Sequence, residues 1–149
     1  MKFTTKSEYG LKAVLNLAEN FGKGPIPIHD IAENHGISEN YLEQLLSTLR
    51  RAGLVKSVRG AQGGYMLASS PKEITVGEII RILEGSIAPK KCVDDENPNA
   101  CNRAENCAAR MVWEKLKDSV SEVLDSITLD DMCREARKMN STYSLMYYI

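Results

Sequence analysis

Apolar side chains recur every three or four positions in several stretches of this chain, and such spacing predicts amphipathic helices. The first stretch covers residues 6–21, and the second runs from Ile28 to His35 and ends before Gly36. A third runs from Ser38, a favourable N-cap, to Ala52, and Gly53 then follows as a helix stop. Because only a short turn separates the second and third stretches, they predict a helix-turn-helix whose recognition helix is the third helix.

Two short stretches with strand character follow the recognition helix, Leu54 to Ser57 and Tyr65 to Ala68. The glycine-rich segment between them can turn tightly and carries Arg59 at its tip. A recognition helix followed by such a hairpin predicts a winged helix-turn-helix, which is a DNA-reading arrangement. The expected fold class is therefore mainly α with a small β-wing.

The second half of the chain contains a further helix, a long loop and a long helix. Thr75 to Glu78 forms a capping box ahead of a helix that Gly85 ends. Ser86 to Arg103 has no period and predicts a functional or disordered loop. From Ala104 to about Ser126 the helical spacing returns, with a stripe made of Val112, Leu116, Val120, Val123 and Leu124, and Trp113 beside it. A helix of about 20 residues spans about 30 Å, more than so small a domain can cover, so we expect it to pack against a second copy of the chain.

These elements divide the chain into four predicted parts. They are a winged helix-turn-helix domain over residues 1–85, a loop over 86–103, dimerisation helices over 104–139 and a C-terminal tail over 140–149. The last helix is expected to start near Thr128 and to be short, which leaves an uncapped, tyrosine-rich tail.

Charge and hydropathy narrow the class of protein. The net charge of −1 argues by itself against a nucleic-acid binder, but residues 1–72 carry nine Lys and Arg against six Asp and Glu, whereas the remainder carries ten against fourteen. Any DNA-binding surface is therefore expected in the first half. No stretch has the pattern of a signal peptide or approaches the roughly 20 apolar residues of a membrane span, so a cytoplasmic protein without membrane contact is expected.

The recognition helix offers a set of polar side chains to the major groove. Gln44 suits adenine, and Glu43 can accept a hydrogen bond from cytosine, although an ordinary surface or core role is the alternative for any one of these residues. Arg59 suits the electronegative minor groove. Arg50, Arg51 and Lys56 are expected to hold phosphates. The candidates on the helix are Ser38, Asn40, Tyr41, Glu43, Gln44 and Ser47.

Three cysteines, Cys92, Cys101 and Cys107, form a Cys-x8-Cys-x5-Cys run across the long loop and into the predicted start of the long helix. Such a cluster of thiolates favours a soft metal centre, and a helix N-terminus would favour the thiolate of Cys107. Zinc is disfavoured because there is no tight Cys pair and no local fourth ligand. Reversible oxidation of two of the thiols and bland surface cysteines remain alternatives. Cys133 is expected to be a packed core thiol.

Several motifs resemble the Rrf-type winged-helix regulators, a bacterial family with an IscR-like iron–sulfur branch and a CymR-like branch that represses cysteine metabolism. The motifs are Lys-Ser-Glu-Tyr-Gly10, Ile37-Ser-x-x-Tyr-Leu-Glu-Gln44, Leu-Arg50-x-Ala-Gly-Leu-Val55, Val-Arg-Gly-Ala-x-Gly-Gly-Tyr65 and Ile-Thr-Leu129. The resemblance implies a homodimeric transcriptional regulator of iron–sulfur cluster assembly genes that binds double-stranded DNA and reports iron–sulfur or redox status. A metal-carrying or redox enzyme is not expected, since the sequence has no nucleotide-binding loop, no acid/base pair and no nucleophile constellation.

The same resemblance implies the cofactor and its ligands. It points to an iron–sulfur cluster of the 2Fe-2S type on Cys92, Cys101 and Cys107. IscR-like chains have a His three residues after the third Cys, and here that position is Arg110. Other members use a carboxylate near position 8 from the partner subunit, which makes Glu8 the expected fourth ligand.

The alternative is a CymR-like repressor of cysteine and sulfur metabolism. CymR-like chains end in a similar tyrosine-rich segment, and in that branch cysteine synthase is a partner. The resemblance therefore implies that a cysteine synthase could hold the tail that ends at Ile149.

Overall fold

The computed structural model describes residues 1–147, which form six α-helices and one two-stranded antiparallel sheet. Short 3-10 turns cover Pro71–Glu73, Lys91–Val93 and Ala104–Asn106. The regular elements are α1 (Thr5–Glu19), α2 (Ile28–His35), α3 (Glu39–Arg51), β1 (Val55–Val58), β2 (Gly64–Leu67), α4 (Val76–Glu84), α5 (Arg110–Ser126) and α6 (Leu129–Tyr147). The expected mainly α fold with a small β-wing is confirmed.

The helix-turn-helix begins and ends at the residues that the sequence predicts. Gly36 ends α2 in the left-handed conformation, with φ of 63°, which costs glycine little. The Ser38 side chain then accepts a hydrogen bond from the Tyr41 amide at 3.2 Å and caps α3. The predicted capping box between Thr75 and Glu78 is also present at the start of α4.

The wing is held against the helices by its second strand. Val55 pairs with Leu67 and Val58 pairs with Gly64, so each strand lies one residue from its predicted position. Tyr65 also exchanges two backbone hydrogen bonds, of 2.8 and 2.9 Å, with Ile26 in the loop before α2. A side chain at Gly64 would overlap the Ile26 carbonyl, so this close approach requires glycine.

The main core lies between α1, α2, α3 and α4, and the start of α6 closes it. Leu42, Leu46 and Leu49 on one face of α3 are fully buried, which leaves the opposite face of that helix to solvent. Burial of each such side chain contributes about 2 kcal/mol. Leu129 and Cys133 of α6 belong to the same cluster, which confirms Cys133 as a packed core thiol.

Glu84 at the end of α4 ties that helix to the start of α1. Its Oε1 accepts hydrogen bonds from the backbone amides and the hydroxyls of both Thr4 and Ser7, at 2.5 to 3.2 Å. Partial burial opposes ionisation of Glu84, but these four hydrogen bonds outweigh it and lower the pKa of the carboxyl to about 2. The first turn of α1 is therefore anchored to α4 by a carboxylate.

The structure corrects the predicted start of the long helix. The 3-10 turn at Ala104–Asn106 is separate from α5, because Cys107 adopts an extended conformation and interrupts the helical hydrogen bonding. Helix α5 therefore begins at Arg110 rather than at Ala104, and Cys107 lies three residues before it instead of in its first turn. Cys107 therefore lies in the turn that leads into α5, and its carbonyl accepts a hydrogen bond from the Arg110 amide at 3.2 Å.

The structure also corrects the length of the last helix. Helix α6 continues from Leu129 to Tyr147, so the predicted boundary at residues 139 and 140 falls inside it and the described part of the tail is helical. Residues 129–147 contain no Gly or Pro that would end a helix, and the lack of a capping residue near position 139 is consistent with the longer helix. Tyr148 and Ile149, on which the docking prediction rests, lie outside the described residues. None of the described helices has the length and apolar composition needed to cross a bilayer.

Candidate nucleic-acid interface and cysteine loop

The exposed face of α3 forms an open cleft of about 630 Å³ with the second strand of the wing. Six of the ten predicted DNA contacts lie together there: Asn40, Glu43, Gln44, Ser47, Arg50 and Arg51. The cleft is lined by those six side chains and by Thr48 and Tyr65. It combines amide, hydroxyl and guanidinium groups with a single carboxylate, and such groups read base edges and hold phosphates.

Ser38 and Tyr41 have structural partners. The Ser38 hydroxyl oxygen caps α3. The Tyr41 ring packs edge-on against Tyr9 of α1, with centroids 6.0 Å apart, and its hydroxyl lies 3.1 Å from the Thr5 hydroxyl. Tyr41 thus connects the recognition helix to α1, and the predicted contacts of Ser38 and Tyr41 with bases stay predictions.

Arg50 and Arg59 differ in their surroundings. Nη1 of Arg50 donates to the Ser57 hydroxyl at 3.2 Å, so this side chain links the end of α3 to β1. Arg59 is exposed in the turn between the strands, where the next residue, Gly60, has φ of 110°. Arg51 and Lys56 are exposed as well. The wing therefore presents an unburied arginine beyond the cleft, and α3 ends in two further cations.

Thr48 and Tyr65 also line the cleft, and neither is among the DNA contacts that the sequence predicts. Tyr65 reaches the recognition helix only because β2 folds back beside it and pairs with Ile26. That placement is tertiary and leaves no local trace in the sequence. Thr48 follows Gln44 by one helical turn, so the helical spacing alone could have indicated it.

The loop between α4 and α5 is organised around Asp94. Its carboxylate accepts hydrogen bonds from the Ser86 hydroxyl at 2.8 Å, from the Glu96 amide at 3.0 Å and from the Asn97 side chain at 3.2 Å. The bond from Ser86 is the largest of the effects that lower the pKa of Asp94. Val93 beside it is buried, so the first part of the predicted loop is folded against the domain.

The three loop cysteines occupy different environments. Cys92 lies half-buried in the turn Lys91–Val93, Cys101 is half-buried, and Cys107 is exposed. Among residues 1–147, no three Cys, His, Asp or Glu side chains are grouped closely enough to hold a metal ion. The donor chemistry of three thiolates suits an iron–sulfur cluster. Assembly of such a cluster would require the loop to bring these thiols together.

Arg110, which stands where IscR-like chains have a histidine, lines one cleft of about 230 Å³ with Cys92. Its Nη1 donates to the Ala104 carbonyl at 3.4 Å, and its Nε lies 3.1 Å from a Glu114 oxygen without the alignment of a hydrogen bond. A guanidinium remains protonated and cannot ligate iron, but it can stabilise a neighbouring thiolate. Arg110 and Cys92 thus line the same cleft, and Cys107 is not among its lining residues.

The cysteine loop is attached directly to α5. Nζ of Lys117 donates to the Val93 carbonyl and to both carboxylate oxygens of Asp95, each at 3.0 Å. Nζ of Lys90 lies 5.4 Å from the centroid of the Trp113 ring. Residues on both sides of Cys92 in the sequence therefore contact α5.

Glu8 and Cys133 contact residues other than the three loop cysteines. Glu8 is exposed on α1 and pairs with Lys12 at 3.0 Å, as an ordinary helix-surface carboxylate does. Burial raises the pKa of the Cys133 thiol and keeps it protonated. The ligand role of Glu8 stays a prediction.

Comparison with known proteins assigns the family. The profile described as "Rrf2: Iron-dependent Transcriptional regulator" matches residues 3–135. The chain is 47% identical to the transcriptional regulator CymR of Bacillus subtilis over all 149 residues, which is 100% of both chains. The solved structure of CymR, the global cysteine regulator of B. subtilis, has a TM-score of 0.76 with 48% identity and covers 91% of this chain and 98% of that chain.

The structure of IscR from T. potens is similarly close, with a TM-score of 0.73 and 51% identity over 91% of this chain and 88% of that chain. These relatives are transcriptional regulators and not enzymes. The recognition helix, the wing and the matches over most of the chain lead to one conclusion: the chain belongs to the Rrf2 family of transcriptional regulators.

Proposed function

We propose that this chain is a homodimeric DNA-binding regulator whose cysteine loop senses iron–sulfur or redox status and controls iron–sulfur cluster assembly genes. The observation that carries the proposal is the attachment of the loop to α5 through Lys117, which donates to Val93 and Asp95 next to Cys92. A change at the thiols would act on these contacts and so on the helix that we expect to form the dimer.

The dimer proposal rests on the outward face of α5. No residue of this helix is buried, although Val120 and Leu124 turn toward the domain. On the adjoining side of the helix, Val112, Leu116 and Val123 are 52%, 40% and 57% exposed. These positions repeat at helical spacing and form an apolar stripe, which a second copy of the same helix would cover.

The cluster proposal rests on donor chemistry and on the description of the family as iron-dependent. Cys92, Cys101 and Cys107 would hold a 2Fe-2S cluster, which would supply the redox or iron-dependent change. Glu8 of a second copy would complete the ligand set. This chain's own part would be to present three thiols on one loop and to pass their state to α5.

A CymR-like repressor of cysteine metabolism is the second candidate function. It is favoured by the identity of 47% to CymR over the full length of both chains, and by Arg110 beside Cys92, which cannot ligate iron. In this case the cysteines would act as thiols, and a cysteine synthase would bind the tail at Tyr148 and Ile149.

The visible absorption spectrum and the iron content of anaerobically purified protein distinguish the two functions. Colour that is lost in Cys92→Ala, Cys101→Ala and Cys107→Ala, with a folded dimer retained, supports the cluster. Cys133→Ala is the matched control and should keep it. Iron retained in all three loop variants, or a colourless protein with full DNA affinity, contradicts the cluster proposal.

The tail is tested separately with a cysteine synthase from the same source. If the CymR-like function holds, the full chain binds the enzyme and a chain that lacks Tyr148 and Ile149 does not. Equal binding by both chains, or no complex with either, excludes the tail as a docking peptide. A cluster that persists unaltered in Glu8→Ala removes only the proposed fourth ligand.

A further inference from the structure

An ion pair joins the winged helix to the C-terminal end of α5. Nη1 of Arg81 lies 2.6 Å from Oδ1 of Asp125, and Nη2 donates to Oδ2 at 2.9 Å. Two parallel hydrogen bonds between planar groups restrict the angle between their helices, which a single contact would not do. The hydrogen bond from Arg81 also lowers the pKa of Asp125, so the carboxylate is ionised at neutral pH.

Gly77 on α4 provides the space for this pair. A side chain there would overlap Oδ1 of Asp125 and would lie 2.7 Å from Nη1 of Arg81. The backbone of Gly77 is in ordinary helical conformation, so its lack of a side chain leaves room for the two paired side chains and does not serve chain flexibility.

Two backbone hydrogen bonds mark the point about which α5 could tilt. The Val76 amide donates to the Ile127 carbonyl at 2.8 Å, and the Leu129 amide donates to the Ile74 carbonyl at 2.9 Å. They join residues 74–76, at the start of α4, to residues 127–129, which connect α5 to α6, whereas Arg81 lies more than one turn further along α4. The two backbone hydrogen bonds hold the C-terminal end of α5 in place, and the ion pair sets the direction in which α5 leaves that point.

We propose that the Arg81–Asp125 pair, seated on Gly77, sets the tilt of α5 against the winged helix and thereby selects the half-site spacing that the dimer accepts in DNA. This inference rests on the proposed dimer through α5. With 17 residues α5 is about 25 Å long, so a tilt of about 10° moves its far end by about 4 Å. One base pair adds about 3.4 Å to the separation of two half-sites. A small change of tilt therefore moves the far end of α5 by about the rise of one base pair.

The Arg81–Asp125 pair is half-exposed, so it contributes little to the free energy of folding and acts mainly on the orientation of α5. Without it, the backbone bridge and the packing of Val120 and Leu124 still hold α5 on the domain. The helix would keep its partner but would adopt a range of tilts. The variant dimer would then accept neighbouring spacings with similar affinity.

The test measures affinity for a set of two-fold symmetric DNA fragments that differ by one base pair in half-site separation. The half-site is first obtained by selection from random DNA with the wild-type protein. For each protein, the ratio of affinities between the preferred and the adjacent spacings is compared at one salt concentration. In Asp125→Asn and in Gly77→Ala we expect this ratio to fall by about fivefold or more. Asp118→Asn, an equal charge change at an exposed position of α5, should leave it unchanged.

A double variant makes the test sharper. Because either substitution alone breaks the pair, Arg81→Met combined with Asp125→Asn should give the same ratio as Asp125→Asn alone. Sedimentation and thermal unfolding establish that each variant is a folded dimer, and if one does not fold, the others decide. A wild-type dimer with unchanged ratios in the folded pair variants overturns this inference alone. A variant that becomes monomeric also overturns it, since the pair would then maintain the interface. A monomeric wild-type protein overturns the proposed dimer itself.

Discussion

Glu43 is the one carboxylate among the side chains that line the cleft on α3, and Arg50 and Arg51 line the same cleft. A carboxylate near DNA repels phosphate, so it weakens binding wherever it finds no base that donates to it. We therefore expect Glu43→Ala to bind DNA at least as tightly as the wild-type protein and to discriminate less between operator variants. Relative affinities over a panel of single-base operator variants measure this effect. A panel profile identical to that of the wild-type protein would exclude the role.

Arg59 carries the only cation of the turn between β1 and β2, at the tip of the wing. A guanidinium there can enter a narrow minor groove, so we expect Arg59→Ala to weaken operator binding by about tenfold or more and to reduce the salt dependence of the affinity. Arg134→Ala, at an exposed position of α6, is the matched control and should have little effect. The measurement is operator affinity at several salt concentrations. Equal affinity of Arg59→Ala and wild type would contradict the wing contact.

The bounds of a helix are predicted best from the sequence where capping residues mark its ends. Ser38, Gly36 and the Thr75 capping box fixed the bounds of α2, α3 and α4 to within a residue. The sequence predicts the end of a helix less well where no capping residue marks it, as in α6, which extends to Tyr147. The apolar stripe on α5 was recognised, but only packing separates its inward residues, such as Val120, from its outward ones.

The candidate site shows the same division between local and tertiary information. The helical spacing of α3 placed Asn40, Gln44 and their neighbours on one exposed face, and the structure brings them into one cleft. Tyr65 joins them through strand pairing, which no local pattern reports. The arrangement of the cysteines depends on the path of a loop with no periodicity, so the sequence predicts which residues take part but not their geometry.

The contact between α1 and α4 gives a prediction about stability. Glu84→Gln keeps an acceptor oxygen but loses the charge that four donors stabilise, so we expect the free energy of unfolding to fall by about 2 kcal/mol near pH 7. The pKa of Glu84 is lowered from 4.5 to about 2 in the folded protein, so its contribution is present above the higher value and is lost as the pH falls through that interval. The difference between variant and wild type should therefore shrink at low pH.

Urea unfolding near pH 7 and near pH 3 measures this difference. Glu73→Gln, an exposed position in the turn before α4, is the control and should be neutral at both pH values. A loss of stability in Glu84→Gln that stayed constant between the two pH values would show that the ionised state of Glu84 is not what holds α1 to α4.

Helix α5 is the element through which the other parts of the protein are connected. Its inner face and its C-terminal end contact the winged helix, and Lys117 and Trp113 contact the cysteine loop. The adjoining side of α5 carries the exposed part of the apolar stripe, which consists of Val112, Leu116 and Val123. A helix in this position can relate the state of the loop to the separation of two recognition helices, provided that a second copy covers the stripe.

A charged substitution at Leu116 tests whether a second copy covers the stripe. Leu116 lies in the middle of the exposed stripe, and a glutamate at this position of both copies would place two unpaired charges in an apolar interface. We expect Leu116→Glu to raise the dimer dissociation constant by about a hundredfold and to weaken binding to a two-half-site operator far more than binding to a single half-site. Lys115→Glu, an exposed neighbour off the stripe, is the control for the added negative charge. Because Leu116 has no place in the domain core, thermal unfolding of the winged helix should change little. Sedimentation across a concentration series measures the equilibrium, and a Leu116→Glu protein as dimeric as the wild type would show that α5 does not form the interface.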